Sequence, residues 1–203
     1  MKIIAVGMNY AAHNKELDFT PPAEPVIFMK ADSSLLKRGS PFFIPDFSDA
    51  IDYEVEVVVK INRLGKNIEE RFAHRYYEDI TVGIDFTARD LQYQLRKEAL
   101  PWEISKAFDN SAAVGDFIPK TDIADLSRMS FRLDINGAMA QSGNTQDMLF
   151  SIDRIIAYAS RFFTLKIGDL IFTGTPSGVG SVHINDRLEA YIEEQKILDL
   201  KIK

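Results

Sequence analysis

The sequence contains no cysteine among its 203 residues, which excludes disulfide bonds, thiolate nucleophiles and cysteine-ligated zinc. It also lacks an excess of basic residues. Its formal net charge is −6, which argues against a nucleic-acid partner because phosphate binding needs a basic face. No apolar run approaches the length that spans a membrane, and the run at the N-terminus is too short for a signal peptide. We therefore expect a cytoplasmic protein that binds neither membranes nor nucleic acids.

The chain also lacks internal repeats, low-complexity segments and any stretch with the composition of a linker. Its length suits one sizeable hydrophobic core and is short for two ordinary domains. We therefore predict a single domain over residues 1–203.

The distribution of apolar residues predicts a mainly β protein with a few helices, in the α+β class. Asn136-Gly137, between two strand-like runs, is a strong signal for a two-residue hairpin turn. Apolar residues at helical spacing over 151–162, with Ser151 as N-cap, predict a helix. The predicted strands are 3–6, 26–29, 51–61, 80–86, 114–118, 131–135, 138–142, 170–172, 187–192 and 197–202, and the other predicted helices are 11–17, 68–77 and 88–99.

Three acidic residues lie in two of the predicted strands, Glu54 and Glu56 in one and Asp85 in the other. Side chains two residues apart in a strand share a face and lie roughly 6.6 Å apart. Two carboxylates at that separation repel by about 2–3 kcal/mol at an effective dielectric constant near 20. A bound divalent cation would reverse the sign of this energy, and Asp85 would add a third oxygen. Such an all-oxygen site suits Mg²⁺ or Mn²⁺, although exposed glutamates on a strand face are also common.

His13 and Glu16 are three residues apart in a predicted helical segment, so they share one face. A carboxylate beside an imidazole orients the ring and raises its basicity, as a general base requires. The alternative interpretation is a surface histidine with an acid nearby.

Two lysines are candidates for binding an anion. Lys30 follows an apolar strand, and Lys106 lies close to the only tryptophan. Each is either a cation placed for an anionic substrate or enolate, or a side chain that extends into solvent. Arg89 and Gln92, just after Asp85, are ambiguous by themselves.

The segment 172–180, F-T-G-T-P-S-G-V-G, is rich in glycine. It lacks the Lys-Ser/Thr of a phosphate-binding Walker loop and the setting of a dinucleotide-binding loop. It is either a tight turn between strands or a close approach of the backbone to a small anion. In the second case the amides around Gly174 and the hydroxyl of Thr175 would donate hydrogen bonds.

Taken in order, these segments resemble the fumarylacetoacetate hydrolase family over nearly the whole chain, and most closely its short single-domain members of the acylpyruvase and oxaloacetate decarboxylase type. The resemblance implies a mixed β-roll with a few short helices, usually assembled as a homodimer. It also implies Mg²⁺ or Mn²⁺ held by Glu54, Glu56 and Asp85. The segments that carry it are N-Y-A-A-H-N-K-E, P-V-I-F-M-K, D-Y-E-V-E, G-I-D-F-T-A-R-D-L-Q, L-P-W-E-I-S-K-A-F-D and T-G-T-P-S-G-V-G.

The resemblance further implies catalytic roles. His13 and Glu16 match a His-x-x-Glu pair on a mobile lid that activates water, and Lys106 matches a lysine that faces the developing enolate or oxyanion. Two departures would reshape the pocket: Ala31 stands where many relatives have proline, and Met8 where leucine or arginine is frequent. The residues that we expect at the substrate are Lys30, Arg89, Gln92, Gly174 and Thr175.

The function that we expect is metal-dependent cleavage of small β-dicarbonyl acids. The enzyme would hydrolyse a carbon–carbon bond of acylpyruvates, decarboxylate oxaloacetate, or do both through a pyruvate enolate. One alternative is an isomerase or decarboxylase of substrates like 2-hydroxyhepta-2,4-diene-1,7-dioate, or a fumarylpyruvate hydrolase. A second alternative is a non-catalytic, metal-stabilised β module that binds a partner.

Overall fold

A computed structural model describes residues 1–18 and 20–203. The strands are β1 Ile3–Gly7, β2 Val26–Lys30, β3 Ile51–Tyr53, β4 Val55–Ile61, β5 Tyr77–Asp85, β6 Thr87–Ala88, β7 Ala112–Val114, β8 Ile118–Pro119, β9 Ser130–Ile135, β10 Ala138–Asn144, β11 Leu170–Phe172, β12 Gly180–Ser181, β13 Arg187–Ile192 and β14 Gln195–Lys201. The helices are α1 Ala11–Glu16, α2 Glu70–Ala73, α3 Arg89–Lys97, α4 Glu103–Lys106 and α5 Ile152–Phe162, with 3₁₀ turns at Asp32–Ser34, Lys120–Asp122 and Thr145–Asp147. The predicted α+β class, mostly strands with short helices, is confirmed.

The largest sheet has the strand order β2-β1-β11-β4-β5-β7, with β8 also paired to β5. This sheet is mixed, because β1 runs parallel to β11 while the other strand pairs of the sheet are antiparallel. Strand β4 is almost entirely buried. Its run of valines therefore has no polar alternation, as expected of a strand covered on both faces.

A second sheet, with the order β10-β9-β13-β14, packs against the first through a shared core. Its β9–β10 hairpin turns at Asn136 and Gly137, whose φ angles of 54° and 82° fit the predicted two-residue turn. Helix α5 buries Ile155 and Ile156 in the same core. Its predicted N-cap is present, since the Ser151 hydroxyl accepts a hydrogen bond from the Arg154 amide at 3.1 Å.

The predicted continuous strand 51–61 is wrong in one respect that positions the site. The chain leaves β structure at Glu54, so β3 belongs to a small third sheet, β12-β3-β6, while β4 belongs to the largest sheet. The Asp85 amide still donates a hydrogen bond to the Glu54 carbonyl oxygen at 2.9 Å. Glu54 therefore lies at the junction of two sheets, directly beside the end of β5.

Two other predicted elements are shorter than expected. The predicted helix 68–77 is helical only over Glu70–Ala73, because Tyr77 already pairs with Ile61 in the largest sheet. The predicted strand 114–118 is interrupted at Gly115. A Cβ atom there would lie 2.6 Å from the Ile197 carbonyl oxygen, so the neighbouring backbone occupies the space of a side chain. Among the described residues, no helix has the length and apolarity needed to cross a membrane.

Candidate metal centre and active site

Glu54, Glu56 and Asp85 converge at the junction of β3, β4 and β5. All three are buried, and one carboxylate oxygen from each lies within 4.8 Å of the others. Glu54 reaches this position from the break between β3 and β4, and Asp85 from the last residue of β5. Three converging carboxylate oxygens are the donor set that a hard divalent cation prefers.

The electrostatics of Glu56 support a cation at this position. Its Oε2 accepts a hydrogen bond from the Gly174 amide at 2.7 Å. Burial, followed by repulsion from Asp85 and Glu54, holds the pKa of Glu56 well above its usual value. A cation among the three carboxylates would turn that repulsion into attraction.

Lys106 compensates the other two carboxylates. Its ammonium lies 2.7 Å from Glu54 Oε2 and 2.9 Å from Asp85 Oδ2, and it donates to Thr87 Oγ1 at 2.6 Å. Although burial opposes the charged form, Asp85 and Glu54 raise the pKa of Lys106 above its usual value. Lys106 and a metal ion would therefore share the same carboxylates.

Lys30 lies behind the triad and outside the residues that line the cavity. Its fully buried ammonium is 2.7 Å from Asp85 Oδ1, as an ion pair without hydrogen-bond geometry. It donates to the carbonyl oxygen of Lys106, and to the hydroxyl and carbonyl oxygens of Ser111 at 3.0 and 3.1 Å. Lys30 thus connects the chain segment that carries Lys106 to a metal-ligand candidate.

Arg89 also supports the triad. Its guanidinium donates to Asp52 Oδ2 at 2.7 Å, to Gln92 Oε1 at 2.6 Å and to Glu54 Oε1 at 2.6 Å. Although burial opposes the charge, Glu54 and Asp52 raise the pKa of Arg89. Since Gln92 accepts this bond through its oxygen, its amide NH₂ is the group it can offer a substrate.

In this cluster four carboxylates face three cations, so one negative charge is in excess if all are ionised. A divalent cation would change the excess to one positive charge, which favours an anionic substrate. The carboxylates are Asp52, Glu54, Glu56 and Asp85, and the cations are Lys30, Arg89 and Lys106.

Helix α1 brings His13 and Glu16 to the mouth of the site. His13 is buried, and its Nδ1 lies 3.2 Å from Glu16 Oε2. Both Glu16 oxygens also accept from the Gly178 amide, at 3.1 and 3.2 Å. The carboxylate therefore orients the imidazole and joins α1 to the glycine-rich segment.

The glycine-rich segment closes the opposite side of the triad. Gly174 has a φ of 99°, and a Cβ atom there would lie 2.7 Å from the Asn9 Cβ atom, so only glycine fits. The neighbouring Thr175 hydroxyl accepts a hydrogen bond from Gln141 Nε2 at 3.0 Å. Gln141 Oε1 in turn accepts from the Val55 amide at 2.9 Å, beside the break that carries Glu54.

Gln141 was not identified from the sequence, because an isolated glutamine after a hairpin turn carries no signal of its own. Arg96 and Trp102 were also missed, although Arg89, Gln92 and Arg96 follow a helical i, i+3, i+7 spacing that indicates one shared face.

The candidate site encloses a cavity of about 30 Å³, which has room for little more than a water molecule. Two carboxylates of the triad, Glu54 and Glu56, meet an oriented imidazole and an ammonium group at this cavity, as in a metal-dependent enzyme. The residues that line it are Val6, Gly7, Met8, His13, Leu17, Phe28, Glu54, Glu56, Arg89, Gln92, Arg96, Trp102, Lys106 and Thr175.

The chain belongs to the fumarylacetoacetate hydrolase family. The family model described as fumarylacetoacetate (FAA) hydrolase C-terminal matches residues 2–203, so the resemblance inferred from the sequence is confirmed. The protein is thus an enzyme of a family whose members cleave or isomerise small keto acids.

Individual relatives match along most of their length. The mitochondrial oxaloacetate tautomerase FAHD1 of Rattus norvegicus is 40% identical over 201 residues, which cover 99% of this chain and 91% of the relative. The mitochondrial oxaloacetate decarboxylase of Dictyostelium discoideum is 43% identical over 182 residues, which cover 89% of this chain and 84% of the relative.

One solved structure shares this fold and contains a metal ion and a keto acid. Fumarylpyruvate hydrolase from Pseudomonas aeruginosa, in complex with Mn²⁺ and pyruvate, superposes with a TM-score of 0.92 at 34% identity. The match covers all of this chain and 89% of that one. Oxaloacetate decarboxylation and fumarylpyruvate hydrolysis are among the activities that the resemblance predicted, and oxaloacetate tautomerisation is an additional activity on a predicted substrate.

Proposed function

We propose that this enzyme acts on small β-dicarbonyl keto acids with the help of one Mg²⁺ or Mn²⁺ ion, through an enolate of pyruvate. The observation that carries the proposal is the buried triad of Glu54, Glu56 and Asp85, of which the two glutamates line a cavity that is also lined by an imidazole and an ammonium group. The Mn²⁺ and pyruvate bound to the relative from Pseudomonas aeruginosa support the same assignment.

The ion would be held by the three carboxylates of the triad and would act as a Lewis acid on the keto acid. The oxygen-only donor set suits both Mg²⁺ and Mn²⁺. The one excess negative charge of the cluster is consistent with either.

His13 is proposed as the general base. Because Glu16 lies against its Nδ1, its Nε2 is the nitrogen that is available to take a proton from water in the cavity. Lys106 is proposed to stabilise, by its positive charge, the oxygen on which negative charge develops, since its ammonium lies between Glu54 and Asp85.

The remaining site residues divide into two proposed roles. Gln92, through its amide NH₂, and Thr175, through its hydroxyl, line the cavity and would contact the substrate. Lys30 forms an ion pair with Asp85, and Arg89 donates to Asp52 and Glu54, so we propose that both act mainly by holding the triad and Lys106 in position. Gly174 contributes its amide to Glu56.

We place oxaloacetate and short acylpyruvates ahead of seven-carbon diacids, because relatives about 40% identical over most of this chain are named for oxaloacetate. Hydrolysis of acylpyruvates needs the water-activating pair of His13 and Glu16, whereas tautomerisation or decarboxylation of oxaloacetate does not need a water nucleophile. A non-catalytic metal-binding module would have no use for an imidazole and an ammonium group in the same cavity.

The proposal is tested by assaying oxaloacetate and acetylpyruvate with Mg²⁺, Mn²⁺ and excess EDTA. We expect turnover that requires the metal and is lost in Glu56→Gln. Oxalate, a mimic of the pyruvate enolate, should raise the thermal stability only when the metal is present. Turnover that persists in EDTA, or in Glu56→Gln, would refute the proposal.

We also propose a homodimer. A shallow apolar groove beside the site exposes Phe47 (48%) and Ile104 (62%) and continues to Leu91 and Phe108, and a second copy would cover it. A monomer by light scattering at micromolar concentration would refute this assembly.

Two expectations from the sequence concern the domain organisation and the location of the protein. We propose that residues 1–203 form one catalytic domain, supported by the core that the two larger sheets share; unfolding in two separate transitions would contradict it. The cytoplasmic location stays a prediction, and several relatives carry mitochondrial names.

A further inference from the structure

A second guanidinium lies in the cavity besides that of Arg89. Arg96 stands at the end of the same face of α3 as Arg89 and Gln92, and all three line the cavity. Arg96 lines the same cavity as Glu54 and Glu56.

The two arginines differ in what they contact. The guanidinium of Arg89 is committed to Asp52, Gln92 and Glu54, and it compensates charge in the carboxylate cluster. Arg96 is half-buried. Burial, followed by repulsion from Arg89, lowers its pKa, although an arginine in a protein stays protonated. An anion bound beside Arg96 would offset this repulsion.

The ring system of Trp102 lies beside the guanidinium of Arg96. The Arg96 Cζ atom is 5.8 Å from the centre of the Trp102 ring system. That ring packs edge-on against Phe28 at 5.9 Å, and a Cβ atom on Gly7 would lie 3.6 Å from it. The indole is therefore supported from two strands, β1 and β2, and offers Arg96 a fixed surface at the cavity wall.

We propose that Arg96 is a specificity-determining residue that binds the far carboxylate of a short dicarboxylic keto acid. This inference rests on the proposed function, in which the α-keto acid end of the substrate lies at the triad. A guanidinium pairs with a carboxylate in a planar, bidentate geometry. Oxaloacetate carries this carboxylate where acetylpyruvate carries an acetyl group of nearly the same shape, so Arg96 selects the diacid by charge.

The experiment uses two unreactive ligands that differ only at the far end. Malate and 2-hydroxybutyrate both carry a 2-hydroxy acid, but malate ends in a carboxylate and 2-hydroxybutyrate in a methyl group. Neither has a keto group, so neither forms an enolate. Their affinities are measured by calorimetry with Mn²⁺ for the wild type, Arg96→Gln and the control Lys97→Gln, which removes the same charge from an exposed position of α3.

We expect the wild type and Lys97→Gln to bind malate at least about tenfold more tightly than 2-hydroxybutyrate, the effect of one hydrogen bond to a charged group. Arg96→Gln should lose this preference while its affinity for 2-hydroxybutyrate stays within about twofold. In the assay, the KM for oxaloacetate should rise in Arg96→Gln while that for acetylpyruvate stays nearly constant.

Several results would overturn the inference. These are a wild type with no preference for malate, a preference that survives in Arg96→Gln, and an equal loss of both ligands in that variant. The calorimetry does not depend on turnover. If the protein prefers malate through Arg96 but converts neither keto acid, the proposed function is refuted and this inference stands. If the protein converts the keto acids but shows no such preference, this inference is refuted and the proposed function stands.

Discussion

Glu54 and Glu56 differ in their partners, so the same substitution should have opposite effects on stability in the absence of metal. Glu54 accepts from Lys106 at 2.7 Å and from Arg89 at 2.6 Å. Burial opposes its charge, but Lys106 and Arg89 hold its pKa below the usual value. Glu56 accepts from the Gly174 amide, and burial with repulsion from Asp85 raises its pKa.

The magnitudes follow from these contacts. Two unit charges at the 4.8 Å limit of the triad repel by about 3–4 kcal/mol at an effective dielectric constant near 20. Part of this energy is offset by Lys106, and glutamine keeps the hydrogen bond from Gly174. We therefore expect Glu56→Gln to stabilise the metal-free protein by about 1–3 kcal/mol. Glu54→Gln removes one partner of a buried ion pair and should cost about 3–5 kcal/mol.

The assay is thermal unfolding at pH 8 in excess EDTA, and then with Mn²⁺. For a chain of this size each kcal/mol shifts the Tm by about 2–4 °C. Glu56→Gln should therefore unfold above the wild type in EDTA and Glu54→Gln well below it, whereas Mn²⁺ should raise the Tm of the wild type alone. The reasoning fails if both variants move in the same direction in EDTA, or if either keeps the Mn²⁺ shift of the wild type.

Three further outcomes are expected. His13→Gln should reduce acylpyruvate hydrolysis by about 10²–10⁴-fold and oxaloacetate conversion by a different factor, whereas exposed His74→Gln should change neither rate. Gln141→Leu should cost about 2–3 kcal/mol in urea unfolding, because the Val55 amide loses its acceptor in a buried position; an unchanged midpoint would contradict this. Arg187 lowers the pKa of Asp199 to about 2, so the stability that Asp199 contributes is present above its unfolded pKa near 3.9 and is lost as the pH falls through about 2. Since the Asp199 side chain is 39% exposed, Asp199→Asn should cost at most about 1 kcal/mol at pH 7 and nothing near pH 1.5, which unfolding curves at both pH values would check.

Most of the strands could be predicted from local sequence. The Asn136-Gly137 turn and the capped helix α5 depend on residues adjacent in the chain, and both are present. The continuous strand 51–61 could not be corrected from its own residues. Its interruption at Glu54 arises because β3 pairs with β6 and β12 while β4 pairs with β5 and β11, partners that come later in the chain.

The candidate site shows the same division. The spacing of Glu54 and Glu56 indicated a shared location, but it did not indicate that Lys106 lies between Glu54 and Asp85. Lys30 was expected at the substrate, and its ammonium lies behind the triad instead, against Asp85. Whether a buried lysine contacts a ligand or a structural carboxylate depends on the packing around it, which the sequence does not specify.

The sequence by itself determined the chemistry that this protein has available: oxygen ligands without cysteine, a histidine three residues before a glutamate, and a segment rich in glycine. The tertiary structure decided which of these groups share one small cavity, and it added Arg96, Trp102 and Gln141 to them. The physical reason is that charge compensation depends on distances of a few ångströms between residues far apart in the chain. Those distances exist only after the sheets have paired.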